Sequence, residues 1–116
     1  MSESCSLADR VCEPCRGDIP PMNEETAAQM LKELSGGWVI NDAGHLERLY
    51  TFNDFADAMA FANRIGDLAE EAGHHPDLYV AWGKCGMEVW THKINGLADA
   101  DFILAAKASR VYGEPL

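Results

Sequence analysis

The chain lacks long apolar runs and is poor in basic residues. Nowhere do about eighteen apolar residues occur consecutively, so no segment is predicted to span a membrane. Its first residues show no cationic start followed by an apolar run, so we expect no secretory signal. Lysine and arginine number 9 against 19 acidic residues, and the resulting net charge of −10 would repel nucleic acid and anionic lipid. We therefore expect a cytoplasmic protein with no nucleic-acid and no membrane partner.

The length of 116 residues allows a single modest core, and therefore one domain. Residues 1–22 contain three of the five prolines and show no sustained periodicity. We interpret them as a flexible N-terminal arm, followed by a folded domain at 23–116.

Cysteines are few, and three of the four lie in the predicted arm. Without a secretory signal, Cys5, Cys12, Cys15 and Cys85 are expected to be reduced thiols. Cys12 and Cys15 have the two-residue gap of zinc sites and redox dithiols, but a closed structural zinc site needs four ligands. We favour incidental thiols on a mobile tail. The alternative is a metal site completed by a histidine or by a second subunit.

Hydrophobic periodicity predicts three helices and four strands. Short polar loops at 41–44 and 83–86 favour antiparallel hairpins. The fold class is therefore α+β, a four-stranded antiparallel sheet with three helices packed on one face. The predicted order is helix 23–34, strands 38–40 and 46–52, helix 53–72, strands 78–82 and 87–92, and helix 99–112.

The central helix has the clearest pattern in the sequence. Asn53 or Asp54 is the expected N-terminal cap, and Gly73 is expected to stop the helix. The apolar stripe that we expect to be buried consists of Phe55, Met59, Ala62, Ile65, Ala69 and Ala72.

Three of the four histidines lie in one short stretch. His74 and His75 follow the central helix, and His92 ends the last predicted strand, where alternation would place it on one face with Glu88 and Trp90. His45 lies apart. Because histidine titrates near neutrality, the cluster suggests proton transfer or metal ligation.

The spacing around these histidines resembles the signature of the pterin-4a-carbinolamine dehydratases. That signature consists of five features at set gaps: a charged residue, His-His-Pro, an aromatic residue, a histidine and an aspartate. Here the gaps are three, five, nine and eight residues, and the likeness covers roughly residues 23 to 112. The matching positions are Glu70, His74, His75, Pro76, Trp82, His92 and Asp101.

The resemblance implies the same α+β fold, usually assembled as a homodimer or homotetramer. It also implies the dehydration of 4a-hydroxytetrahydropterin to quinonoid dihydropterin, with no metal and no organic cofactor. That reaction returns the tetrahydrobiopterin-type cofactor spent by aromatic amino-acid hydroxylases, so such a hydroxylase is an implied partner.

The resemblance assigns His74 and His92 as the acid/base pair. Loss of hydroxide from C4a needs a proton donor, and N5 must give up its proton, so two imidazoles suit the reaction. Glu70 and Asp101 would tune or orient imidazoles through hydrogen bonds.

Three further positions are assigned to the substrate. His75, next to Pro76, would orient the pterin, and Trp82 would supply an aromatic wall beside its flat ring system.

The chain departs from the family pattern at Ala98, where many relatives carry a capping Ser or Thr. Asp99 could cap the last helix instead, which would move its start by one residue and change the aim of Asp101. An aspartate in a first helical turn is also stabilised by the helix dipole without any catalytic role.

Two rival functions stay open at this point. His74, His75, His92 and Asp101 could bind zinc and activate water, although adjacent histidines rarely point at one ion. Alternatively, the fold could act as a non-catalytic module that binds a partner protein. Retention of every signature position favours the enzyme, since a binding module has no physical need for that spacing.

Overall fold

The structure, a computed structural model, describes residues 20–34 and 36–114. It confirms the predicted α+β order of elements. None of the helices in these ranges is long and apolar enough to cross a membrane. The elements are α1 (Glu24–Leu31), β1 (Val39–Ile40), β2 (Leu46–Thr51), α2 (Phe55–Ala72), β3 (Asp77–Ala81), β4 (Lys84–Val89), a short 3₁₀ helix (His92–Ile94) and α3 (Asp99–Tyr112).

The four strands form one antiparallel sheet in the order β1-β2-β4-β3. Strands β1 and β2 are joined by one hairpin, and β3 and β4 by another, so each pair is local in sequence. Strand β4 lies beside β2, with Leu46 opposite Val89. Helix α2 connects the two hairpins and therefore crosses the sheet.

One face of the sheet is buried beneath the helices, as predicted. Along β2 and β4, side chains alternate between this face and the open face, with Leu46, Tyr50, Met87 and Val89 fully buried. Helix α2 contacts β3, β4 and α3, while α3 also contacts β2. Cys85 is buried on the same face, and burial raises the pKa of its thiol.

The buried stripe of α2 differs from the prediction. Phe55 is 46 % exposed and Met59 is 37 % exposed. Alanines recur on two neighbouring faces of this helix, so sequence periodicity did not decide which face meets the sheet. The buried residues of α2 are Ala58, Phe61, Ala62, Ile65 and Ala69.

The second hairpin is tighter than the predicted loop at 83–86. Ala81 pairs with Lys84, so the turn consists only of Trp82 and Gly83. Gly83, the second of the two turn residues, has φ of +74°, a conformation that glycine adopts at no steric cost. Strand β4 consequently starts at Lys84 and ends at Val89, before His92.

Other boundaries shift at the N-terminal end of the domain. Asn23 caps α1, accepting a hydrogen bond from Thr26 N, but the helix ends at Leu31. Leu34 is nevertheless buried. Most of the predicted arm, with Cys5, Cys12 and Cys15, lies outside the described residues. Within the described part, Met22 N donates to Leu97 O at 2.8 Å, and this bond fixes the chain just ahead of α1.

A buried polar cluster ties α3 to the sheet. Ser109 Oγ accepts hydrogen bonds from Trp38 Nε1 at 2.9 Å and from Arg48 at 3.1 Å, and it lies 2.9 Å from the Tyr50 hydroxyl. Burial raises the pKa of Tyr50 to about 12. Buried polar groups are costly unless paired, so this cluster fixes where α3 lies against β2.

The end of α2 supplies a direct stability test. Gly73 has φ of +67°, and no atom lies within 4 Å of the position that its Cβ would occupy. Gly73→Ala should therefore lower the free energy of unfolding by about 1 kcal/mol through backbone strain alone. Gly66→Ala, inside the same helix with equal space, should instead raise it by up to about 1 kcal/mol. Urea unfolding of both variants checks this, and equal shifts would contradict the assignment of strain to Gly73.

Candidate functional site

The candidate site lies where the end of α2 leads into β3. Gly73 ends the helix, with Gly73 N and His74 N donating back to Glu70 O at 3.3 Å and to Ala69 O at 3.2 Å. Strand β3 begins only three residues after His74. Both neighbouring histidines are thus held close to a helix end and a strand start.

The last histidine reaches the same place through the sheet register. Asp77, the first residue of β3, pairs with Glu88 near the end of β4. The chain that leaves β4 therefore runs beside the chain that enters β3. Thr91 and Gly96 then close a small loop through two backbone hydrogen bonds of 2.8 and 3.4 Å, with His92 as its first residue.

These segments line a cleft of about 340 Å³ that is open to solvent. His74, His75 and His92, separate in sequence, all line it. His74 is buried, while His75 and His92 are exposed. The complete lining is Gly73, His74, His75, Pro76, Asp77, Thr91, His92 and Lys93.

Asp101 forms the centre of the buried side of the site. Its side chain is fully buried, and its Oδ1 lies 2.6 Å from His74 Nε2. Its Oδ2 accepts from Thr91 Oγ1 and from Ala98 N, each at 2.8 Å. One carboxylate therefore holds three segments together: His74 beyond the end of α2, Thr91 just before His92, and Ala98 at the start of α3.

The alternative cap of α3 is wrong. Ala98 occupies the N-cap position and α3 starts at Asp99, so Asp99 does not take over that role. Because alanine has no side-chain acceptor, only the Asp101 half of a capping box forms. Helix α3 therefore starts at the predicted residue, Asp99. This start places Asp101 beside His74.

His75 and Glu70 form a second imidazole–carboxylate pair, but at the surface. His75 Nε2 lies 2.7 Å from Glu70 Oε2, and the two side chains are 59 % and 79 % exposed. Such exposed pairs add little to stability. The pair is therefore free to adjust to a ligand at the rim of the cleft, whereas the His74–Asp101 pair is fixed.

The structure does not bring Trp82 to the cleft. This residue is 71 % exposed in the β3–β4 turn, at the far end of β3 from Pro76. The predicted aromatic wall is not formed within one chain, because the spacing that suggested it runs along a strand that leaves the site. Pro76, by contrast, lines the cleft.

Sequence reasoning missed the surroundings of His92. Thr91-His92 falls within the stretch that resembles the family, but the sequence gave Thr91 no role, and its bond to Asp101 appears only in the structure. His92 does not continue β4, yet its ring stacks on Trp90 at 4.2 Å between ring centroids. His45, which lies apart in sequence, stacks on the other face of Trp90 at 3.8 Å.

Within the described ranges, no three His, Cys, Asp or Glu side chains come together in a way that could hold a metal ion. The zinc ligand set considered from the sequence is therefore not assembled in the described residues.

The Asp101 arrangement predicts the tautomer of His74. An ionised carboxylate only accepts hydrogen bonds, so His74 Nε2 must carry a proton. In Asp101→Asn the amide oxygen can keep the bonds from Thr91 and Ala98, and the amide NH₂ then faces His74. The proton should move to Nδ1, which long-range ¹H–¹⁵N spectra detect. Asp99→Asn, an exposed change in the same helical turn, should leave the tautomer unchanged, and an unchanged His74 in Asp101→Asn would refute the contact.

Comparison with known proteins identifies the family. The profile of the pterin 4 alpha carbinolamine dehydratase family matches residues 20–111. A protein of Rickettsia bellii (strain OSU 85-389), provisionally named as a pterin-4-alpha-carbinolamine dehydratase, is 50 % identical over 107 residues, covering 92 % of this chain and 95 % of its own. A similarly named protein of Rubrobacter xylanophilus is 44 % identical over 96 % of this chain and all of its own.

Solved structures agree. A transcriptional coactivator/pterin dehydratase from Brucella melitensis has a TM-score of 0.76 at 28 % identity, covering 80 % of this chain and 99 % of its own. A pterin dehydratase-like protein identified as a RuBisCO assembly factor in the alpha-carboxysome has a TM-score of 0.60 at 20 % identity, covering 68 % and 93 %. That second likeness shows the fold alone. By profile, sequence and fold, the chain belongs to the pterin 4 alpha carbinolamine dehydratase family.

Proposed function

We propose that this protein dehydrates 4a-hydroxytetrahydropterin to quinonoid dihydropterin by histidine general acid/base catalysis. The observation that carries the proposal is the convergence of His74 and His92 on one cleft, from different elements, with His74 bound to a buried carboxylate. The cleft volume, about 340 Å³, is typical of a small-molecule site.

The reaction needs two proton transfers and no other group. The C4a–O bond breaks as a general acid protonates the departing oxygen, which leaves as water. A general base removes the proton on N5, and the N5 electron pair forms the C4a=N5 double bond. Two imidazoles near neutral pH can supply both steps.

The buried histidine is suited to holding a fixed geometry. His74 Nε2 is engaged by Asp101, so proton exchange with a ligand must use Nδ1. A carboxylate on the far side of an imidazole fixes its tautomer and stabilises the charged form that arises during proton transfer. Asp101 is thus proposed to orient His74 and does not itself exchange a proton with the substrate.

The exposed residues are proposed to meet the substrate. His92 lines the same cleft as His74 and is proposed as the second proton-transfer group. His75, steadied by Glu70 at 2.7 Å and next to Pro76, would orient the pterin at the rim. A substrate-binding role for Trp82 would require the residue to come from another subunit.

We also propose a finer context, which the family suggests. It comprises a cytoplasmic location, homodimer or homotetramer assembly, and recycling of a tetrahydrobiopterin-type cofactor for an aromatic amino-acid hydroxylase. A partner-binding role is the alternative, since the Brucella relative is described as a transcriptional coactivator as well as a pterin dehydratase.

Purified protein should accelerate breakdown of 4a-hydroxytetrahydropterin in a stopped-flow assay without added metal and in the presence of EDTA. Metal independence is expected because imidazoles alone supply both proton transfers. Loss of activity on chelation that zinc restores would contradict histidine catalysis and favour the zinc alternative.

Substitutions should separate the roles of the histidines. His74→Ala and His92→Ala should each lower kcat by about 10²-fold or more, because each removes a general acid or base, and the double variant should be slower still. His75→Ala should mainly raise KM. Gln29→Ala, exposed on α1, serves as the control. Unchanged kinetics in His92→Ala would remove that residue from the site.

A further inference from the structure

Three flat rings stack in a row beside the cleft, at the place where His92 lines it. The rings of His45 and Trp90 are 3.8 Å apart and within 3° of parallel, and those of Trp90 and His92 are 4.2 Å apart and within 11°. Both faces of the Trp90 indole are therefore covered by imidazoles. His92 is the outermost ring and lines the cleft.

The strand register explains the stack. Leu46 of β2 lies opposite Val89 of β4, so the residues just outside this pair, His45 and Trp90, are also neighbours. Thr91 then has extended backbone angles, with φ of −96° and ψ of 105°. In extended chain, alternate residues point the same way, which places His92 on the same side as Trp90. The stack is thus a consequence of two paired strand ends.

The inner end of the stack is anchored by a carboxylate. His45 Nδ1 lies 2.6 Å from Glu88 Oε2, which also accepts a hydrogen bond from Asn41 Nδ2 at 3.0 Å. Hydrogen bonds from Asn41 and then from His45 lower the pKa of Glu88, so the carboxylate stays ionised at neutral pH. Asn41 and His45 are joined by a backbone hydrogen bond of 2.9 Å in the β1–β2 turn. The His45 ring consequently has little freedom to turn.

At the outer end of the stack, no residue of the loop between Thr91 and Gly96 anchors the His92 ring in this way. An exposed histidine ordinarily samples several side-chain rotamers, and a catalytic group that is out of position for part of the time lowers the rate. The flat indole face restricts the imidazole to orientations parallel to it.

We propose that Trp90, backed by His45 and Glu88, is a positioning residue that holds the His92 imidazole in one orientation over the cleft. The catalytic consequence rests on the proposed dehydratase function, whereas the ordering of His92 does not. Trp90 lies outside the signature spacing, and His45 lies outside the histidine cluster.

Substitutions of Trp90 test the proposal through kinetics. Trp90→Leu keeps apolar bulk but removes the flat face, and it should lower kcat about tenfold while KM changes less than about twofold. Trp90→Phe restores a flat ring and should recover most of the loss. Tyr79→Ala, an exposed aromatic change on the open face of the sheet, should leave both constants unchanged. Equal activity in Trp90→Leu and wild type would overturn the proposal.

The support behind Trp90 gives an independent pair of variants. His45→Ala removes the inner ring and should lower kcat in the same direction, by a smaller factor than Trp90→Leu. His45→Phe keeps a ring without the bond to Glu88 and should retain more activity than His45→Ala. Equal losses in the two variants would show that stacking is not what matters.

Nuclear magnetic resonance separates this proposal from the proposed function. In wild type the His92 ring protons should be shifted upfield by the Trp90 ring current, and ring relaxation should report an ordered side chain. Both features should disappear in Trp90→Leu, with a urea midpoint that still shows a folded protein. A wild-type protein without dehydratase activity would overturn the proposed function alone. A His92 ring that stays equally ordered in Trp90→Leu would overturn the positioning role, whatever the activity.

Discussion

The buried carboxylate of Asp101 is the interaction on which the site depends. It pairs with His74, Thr91 and Ala98 N, and so joins the ends of α2 and β4 to the start of α3. Removing a carboxylate from water costs several kcal/mol unless its oxygens are paired, and losing one partner leaves that cost uncompensated. The three segments are therefore held in one mutual arrangement.

The two histidines proposed for proton transfer are held differently. His74 is buried and hydrogen-bonded to a fully buried carboxylate, whereas His92 is exposed and its ring stacks on Trp90. A site that must donate one proton and accept another benefits from groups in distinct surroundings, since their proton affinities then need not be equal. The sheet supplies both, because its antiparallel register brings the start of β3 to the end of β4.

Much of the fold could be predicted because local pattern and tertiary structure agree. The periodicity of α2 and α3 located both helices, Gly73 marked the end of α2, and the alternation along β2 identified its buried face. The errors arose where local pattern is ambiguous. Alanines on two faces of α2 hid the buried stripe, and a two-residue turn at Trp82 and Gly83 moved β4 by three residues at each end.

Within the candidate site, spacing predicted the histidines and Asp101 as site residues but did not predict what holds them. Thr91 and Trp90 are within two residues of His92, yet their roles depend on Asp101 and His45, which the sheet and α3 bring from elsewhere in the chain. Strand register decides these contacts, and the sequence alone did not define the register. Trp82 shows the converse, since it matches the spacing but lies at the end of β3 that is away from the cleft.

The most direct test of the account is a crystal structure of the protein with a stable reduced pterin that lacks the 4a-hydroxyl group. The account predicts that the pterin occupies the cleft with C4a and N5 between His74 and His92, and that His74 keeps its contact with Asp101. A pterin bound elsewhere on the domain, or one that contacts neither imidazole, would contradict it.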